Sequence, residues 1–174
     1  MTDRARRLIL LRHAKAERPG GVVDELRPLA LRGRMQALGV AASLRTSELV
    51  PDQVLCSAAI RARQTCELVL GGLGDVAPES IEYLDALYSA GVVDALALVR
   101  AVDDRIRTLL VVGHEPTMSA TAARLAGPES DIVGTARVRI GIPTATFAVI
   151  ETREPWASIG HADSRLTAVV SPRH

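Results

Sequence analysis

The sequence predicts an α/β fold: a single-domain three-layer sandwich with a mostly parallel central sheet, helices on both faces and an antiparallel C-terminal hairpin at its edge. Three observations predict it. Short apolar runs alternate with longer stretches of helical periodicity, the order expected of βαβ units. Two of those runs, Leu8-Ile9-Leu10-Leu11 and Leu109-Leu110-Val111-Val112, pass directly into Arg12-His13 and Gly113-His114, as buried strands do where a parallel sheet presents its functional carboxyl edge. Finally, 174 residues suffice for one substantial core and are too few for two ordinary domains, so residues 1–174 are read as one unit.

The first strand is expected at about Leu8 to Arg12, followed by a polar loop carrying Pro19-Gly20-Gly21. A helix from about Ala30 to Thr46 follows from the spacing of Ala37, Val40, Ala41 and Leu44. Gln53 to Cys56 is short and apolar, hence a second strand, and Ala58 to Leu70 reads as a helix stopped by Gly71-Gly72. Ile81 to Leu84 suits a brief edge strand, Val92 to Val102 has helical periodicity, and Thr108 to Val112 is a further strand. Pro116 suits the first turn of a helix that runs to about Leu125 and stops at Gly127-Pro128. Beyond it the pattern changes to two strands, Thr144 to Ile150 and Leu166 to Val170, separated by a loop with Pro155, Trp156 and Gly160.

Composition narrows the function. Apolar residues make up 48% of the chain and aromatics 2%, so the core must be aliphatic, and Trp156 is expected as a packing anchor under the hairpin. A formal charge of +1, with basic and acidic residues interspersed, argues against a nucleic-acid partner. The cluster Arg4, Arg6, Arg7 is read as a solvated start to the chain. Cys56 and Cys66 form neither a disulfide framework nor a zinc-ligand pattern, and are expected as buried or partly buried thiols. The first apolar run is far too short for a signal or a membrane span, so no membrane association and a cytoplasmic location are expected.

Moving a phosphoryl group calls for positive charge and N–H donors around its equatorial oxygens, with a nucleophile opposite the leaving group. Arg12 stands beside His13, and Arg61 lies in Ser57-Ala58-Ala59-Ile60-Arg61-Ala62-Arg63-Gln64-Thr65, at the start of the helix after the second strand. An anion near Ser57 and Arg61 would gain both from the guanidinium and from the helix N-terminus. Arg63 is read as a solvated helix residue, and Gln64 and Thr65 as packing and local hydrogen-bonding groups.

Arg12-His13-Ala14, the Ser57 to Thr65 segment and Gly113-His114 resemble the motifs of the histidine phosphatase superfamily, the phosphoglycerate mutase-like fold. Asp24-Glu25-Leu26-Arg27-Pro28-Leu29 and Arg32-Gly33-Arg34 are similar to its small branch, typified by the phosphohistidine phosphatase SixA. The resemblance implies that His13 is the nucleophile that becomes a phosphohistidine. It also implies that Arg12, Arg61 and His114 form the rest of the phosphate pocket. Ser57, at the helix start, is a candidate phosphate contact but is read first as a helix cap, and the leading expectation is a phosphatase that uses no metal or other cofactor. Flanking guanidinium charge disfavours imidazolium and so would keep His13 nucleophilic.

The chain departs from the wider superfamily at Ala14, where glycine is usual, and at Ala16 and Pro19, where the mutases carry further phosphate contacts. Lys15 is read as a solvated lysine. Asp85 is the candidate general acid by position, with Asp94 and Glu82 behind it; small-branch members can lack a clear acid, since a protonated imidazole leaves a phosphoramidate readily. Little chain remains between Arg61 and His114 for a lid, which predicts an open site. The expected substrate is a phosphohistidine-bearing protein or a phosphorylated small molecule. A phosphate-dependent binding module with little turnover, and a phosphomutase, are the competing readings.

Overall fold

Thr108 to Gly113 (β4) sits at the middle of a six-stranded sheet whose other members are β1 (Arg6–Arg12), β2 (Gln53–Ser57), β3 (Ser80–Leu84), β5 (Phe147–Thr152) and β6 (Ser164–Val170). The strand order is β3-β2-β4-β1-β5-β6. The first four are mutually parallel, while β5 runs antiparallel to β1 and β6 antiparallel to β5. The computed structural model describes residues 5–173.

Successive side chains on a strand face opposite sides of the sheet, and here both sides are covered. Leu8, Leu10, Leu109 and Val111 enter one core with Leu96 and Val99 of α3 (Val92–Arg100), Met118, Ala122 and Leu125 of α4 (Thr117–Leu125), and Val138 of α5 (Ile132–Ile140). Ile9, Leu11, Leu110 and Val112 enter the other, with Ala37, Val40 and Leu44 of α1 (Leu31–Thr46) and Ala62, Cys66 and Val69 of α2 (Ile60–Gly72). Burial on both faces explains why β1 and β4 read as unbroken apolar runs and not as alternation. Each fully buried aliphatic side chain contributes about 1.5–3 kcal/mol, so these two strands anchor the molecule.

The predicted architecture therefore stands, with local differences. α2 continues through Gly71 and Gly72, and its end is marked by Gly74 at φ +87°. Gly72 has a packing reason to lie inside the helix, since a Cβ there would stand 2.5 Å from Ala41 Cβ of α1. β5 begins at Phe147 and not at Thr144, because Ala145 takes φ 55° and turns its amide to the carbonyls of Arg12 and His13. The helix α5 has no counterpart in the sequence reading. Arg6 is buried, not solvated: it donates to the carbonyls of Arg153, Glu154 and Asp104 and pairs with the Asp104 carboxylate at 3.3 Å. Arg4 and His174 lie outside the described residues. Trp156 is fully buried and its indole N–H donates to Ile106 O at 2.8 Å, as a packing anchor should. Cys56 and Cys66 are free, buried thiols.

Candidate active site

Register brings the two histidines together. β1 and β4 run parallel with Arg12 opposite Gly113, so the next residue on each strand leaves the sheet at the same level. The His13 amide donates to Gly113 O at 3.0 Å, and the His13 and His114 rings stand 5.1 Å apart between centroids, tilted by 58°. On the far side of β4, β2 ends at Ser57, and the chain turns there into α2.

His13 is buried, and its Nδ1 lies 2.7 Å from Ala14 O. A carbonyl oxygen only accepts, so Nδ1 carries the proton and Nε2 keeps its lone pair. Arg61 donates Nε–H to that same Nε2 at 3.3 Å. Burial is the main force that pushes His13 down to about 3, opposed by the Ala14 carbonyl and reinforced by His114, Arg61 and Arg12. His114 is pushed down to about 4, again chiefly by burial and then by Arg61. Both imidazoles are thus neutral at pH 7, and desolvation outweighs the guanidinium charges in keeping them so.

The supports of the pocket are local. Thr65 Oγ1 accepts from the Ala14 amide at 3.0 Å and donates to Arg61 O at 2.7 Å, which ties the residue after His13 to the turn of α2 that carries Arg61. Ser57 Oγ, fully buried, accepts from the Ala59 amide and lies 2.8 Å from His114 Nε2. Arg12 Nη1 donates to Ile142 O at 2.8 Å, while its buried Nε–H finds no acceptor among the described residues. Ile142 is itself held by Glu115, whose carboxylate accepts from the Ile142 amide at 3.2 Å and from the Ser119 amide and hydroxyl in α4.

His13, Arg61, His114 and Ser57 thus meet at one rim, with Arg12 on the strand end beside them. Asp85 does not join them by any contact: it is exposed at the start of a 3-10 turn after β3, and its carboxylate makes no hydrogen bond or ion pair among the described residues. Asp94 accepts from the Gly91 amide at the start of α3, and Glu82 accepts from Gln53. Lys15 and Pro19 are exposed, Ala16 pairs with Leu29 in an isolated antiparallel bridge, and Gln64 accepts from the Leu29 amide. Arg63, expected as a solvated residue, lies over the Tyr83 ring at 4.2 Å.

The sequence reading did not single out Asp24 and Tyr88 as site residues. Asp24 supplies both its backbone O, at 2.7 Å from Arg61 Nη1, and its carboxylate Oδ2, at 2.8 Å from Arg61 Nη2. Tyr88 donates its hydroxyl to the same Oδ2 at 2.7 Å, and Arg27 pairs with Oδ1 at 2.8 Å. The Tyr88 hydroxyl, then Arg27, then Arg61 hold the Asp24 carboxyl well below the usual carboxylate range. The Tyr88 ring meets His114 edge-on at 5.4 Å. A separate cleft of about 630 Å³ opens at the opposite end of the sheet, where Thr152 and Glu151 close β5 beside the first residues of β1.

The site is thus a buried imidazole and a half-buried one, both neutral, with two arginines at the carboxyl edge of a parallel sheet, and the comparisons with known proteins identify the family that carries it. Residues 8–91 match the model of the histidine phosphatase superfamily (branch 1), and the chain belongs to that superfamily. A protein from Nakamurella multipartitia, assigned to the phosphohistidine phosphatases as SixA, is 37% identical, with 98% of each chain covered and a TM-score of 0.82. A similarly assigned SixA from Agrobacterium tumefaciens is 30% identical over 96% of this chain and 98% of that one, with a TM-score of 0.79. An uncharacterised protein of Mycobacterium tuberculosis is 38% identical over 94% of this chain and the whole of its own length. No helix among the described residues is long and apolar enough to cross a membrane.

Proposed function

We propose that this protein is a metal-independent phosphatase that hydrolyses phosphohistidine, or small phosphomonoesters with good leaving groups, through a phosphohistidine formed on His13. The observation that carries this reading is the state of His13: neutral, protonated on Nδ1 by its bond to Ala14 O, and with the Nε2 lone pair beside the Arg61 Nε–H. In the first step Nε2 forms a bond to phosphorus as the bond to the substrate's leaving nitrogen or oxygen breaks. In the second, water attacks phosphorus, the phosphorus–Nε2 bond breaks, and inorganic phosphate leaves with His13 restored. Arg61 and the unpartnered Arg12 Nε–H offer donors to the equatorial oxygens, where charge accumulates.

Leaving-group chemistry favours the phosphohistidine side of this reading. The carboxylate that touches the quartet is that of Asp24, and its three donors keep it ionised, so it has no proton to give at neutral pH. A phosphohistidine substrate needs none, because its imidazole can be protonated on the distal nitrogen before it leaves. The SixA assignments of the similar structures point the same way, and a phosphohistidine-bearing protein is the partner this chemistry suits.

The test is a phosphatase panel with and without chelator, covering a phosphohistidine protein, an aryl phosphate, sugar phosphates and nucleotides. We expect chelator-insensitive phosphate release and an acid-labile phosphoenzyme, both lost in His13→Ala. Saturable binding without phosphate release would instead identify a binding module, and isomer exchange without net hydrolysis a mutase.

A further inference from the structure

We propose that Asp24 is a positioning residue that fixes the orientation of Arg61 toward the phosphoryl group, with Tyr88 and Arg27 as its braces; the inference rests on the phosphatase reading above. A guanidinium presents its five N–H donors in one plane. Asp24 grips two of its three nitrogens from a single residue, the backbone O on Nη1 at 2.7 Å and Oδ2 on Nη2 at 2.8 Å. Two fixed points on a rigid plane remove its rotational freedom. Of the three N–H groups that remain, the Nε–H is directed at His13 Nε2 across 3.3 Å, the atom on which the phosphoryl group would be carried.

The brace is built for stiffness more than for burial. The Asp24 side chain is 44% exposed, in a loop between β1 and α1, and belongs to neither core. Its carboxylate is nonetheless held on both oxygens, Oδ2 by Tyr88 and Arg61, Oδ1 by Arg27 through Nε and Nη2. Tyr88 also lays its ring against His114, so one loop residue couples the orientation of Arg61 to a side chain that borders the second histidine. Without the carboxylate, Arg61 keeps its charge but loses the anchor on Nη2. Misplacement of a reacting or stabilising group by ~1 Å costs up to roughly a hundredfold in rate.

Two other tasks for Asp24 lead to different results. A proton donor would matter more for poorer leaving groups, and an internal anion competing with phosphate for Arg61 would weaken substrate binding, so that its removal would lower KM. The experiment compares wild type, Asp24→Ala, Asp24→Asn and Tyr88→Phe on p-nitrophenyl phosphate and phenyl phosphate, which differ in leaving-group acidity. Calorimetric titration with inorganic phosphate and the thermal midpoint complete the set.

We expect Asp24→Ala to lower kcat/KM by about tenfold to a hundredfold, by the same factor on both esters, and to weaken inorganic phosphate binding about tenfold. Asp24→Asn, whose amide oxygen still accepts from Nη2, should recover most of this, and Tyr88→Phe should fall between. Unchanged or improved turnover and phosphate affinity in Asp24→Ala, a loss confined to phenyl phosphate, or losses that only track a falling thermal midpoint would each overturn the inference. Failure of the phosphatase reading looks different: wild type itself would release no phosphate, and the titration with inorganic phosphate would still decide the role of Asp24.

Discussion

The attack on phosphorus proposed for His13 requires an unprotonated imidazole, and the environment of His13 secures this by withdrawing the ring from water. Burial, more than the neighbouring charges, pushes His13 down to about 3 and His114 down to about 4, against 6.5 for an ordinary imidazole. Between those limits the unfolded chain binds protons that the folded chain does not, so stability is complete above about pH 6.5 and falls as the pH drops toward 4. Asp24 acts with the same sign in a lower window, since its contribution is lost only as pH falls below the ordinary carboxylate value of 3.8. The thermal midpoint of wild type should therefore decline between pH 7 and pH 4.5, and His13→Ala should flatten part of that decline; a midpoint indifferent to pH there would mean that these rings are not held neutral. Correspondingly, kcat/KM corrected for the substrate's own ionisation should stay level from pH 8 to about pH 5.5, well below the point where an exposed histidine would lose activity. The four pocket residues were legible in the sequence because each stands where an apolar run or helix start ends, a position that primary structure reveals. Asp24 and Tyr88 were not: their meeting depends on how two loops close over Arg61, and no spacing encodes that.

Elements hold these residues at fixed separations, and one contact between elements is unusually tight. Gly33, in the first turn of α1, lies so close to the strand-end loop that a Cβ there would stand 2.0 Å from the Lys15 carbonyl oxygen. Lys15 is two residues beyond His13, so α1 presses directly on the backbone that shapes the loop after His13. Gly33→Ala must displace either the helix or that loop, since the obstructing atom is backbone and cannot rotate away. We expect a cost of about 3 kcal/mol, the upper part of the range for overpacking, seen as a thermal midpoint lower by roughly 6–12 °C. A loss of kcat/KM should accompany it even where the variant is folded. A neutral Gly33→Ala would show that the helix and loop are not in contact in solution. The existence of α1 was legible because its buried residues Ala37, Val40, Ala41 and Leu44 recur on one face. α5 was not, for a physical reason: Ile132, Val133 and Ile140 are exposed, only Gly134 and Val138 are buried, and a helix rich in β-branched residues has weak intrinsic propensity. Its one local signal is Asp131, whose carboxylate accepts from the Gly134 amide as an N-cap.

At the scale of the whole molecule, chemistry and anchorage occupy opposite ends of one sheet. Every pocket residue lies at or just past the carboxyl ends of β1, β2 and β4 or on the elements that follow them, whereas Trp156 joins the turn between β5 and β6 to the segment that leads into β4. Its amide donates to Asp104 Oδ1 at 2.9 Å and its indole to Ile106 O at 2.8 Å. That separation was foreseeable from the parallel order of strands, because ligands gather outside their carboxyl edge. The antiparallel hairpin then completes the sheet and meets the rim through the turn before β5, where the Ala145 amide donates to the carbonyls of Arg12 and His13 and the Thr146 carbonyl accepts from the Arg12 amide. Stability and activity should be separable at Trp156. Trp156→Phe leaves the Ile106 carbonyl without its donor, at about 1–3 kcal/mol, and Trp156→Ala opens a cavity at about 3–5 kcal/mol, on the order of 10 °C in thermal midpoint. At a temperature where both variants remain folded, kcat/KM should stay within about twofold of wild type, since the hydrogen-bond partners of Trp156, Asp104 and Ile106, precede β4 at the end of the sheet opposite His13 and His114. Denaturation followed in parallel with turnover checks this, and a fall in kcat/KM that precedes unfolding would mean that strain at the hairpin reaches His13 and His114 through β4.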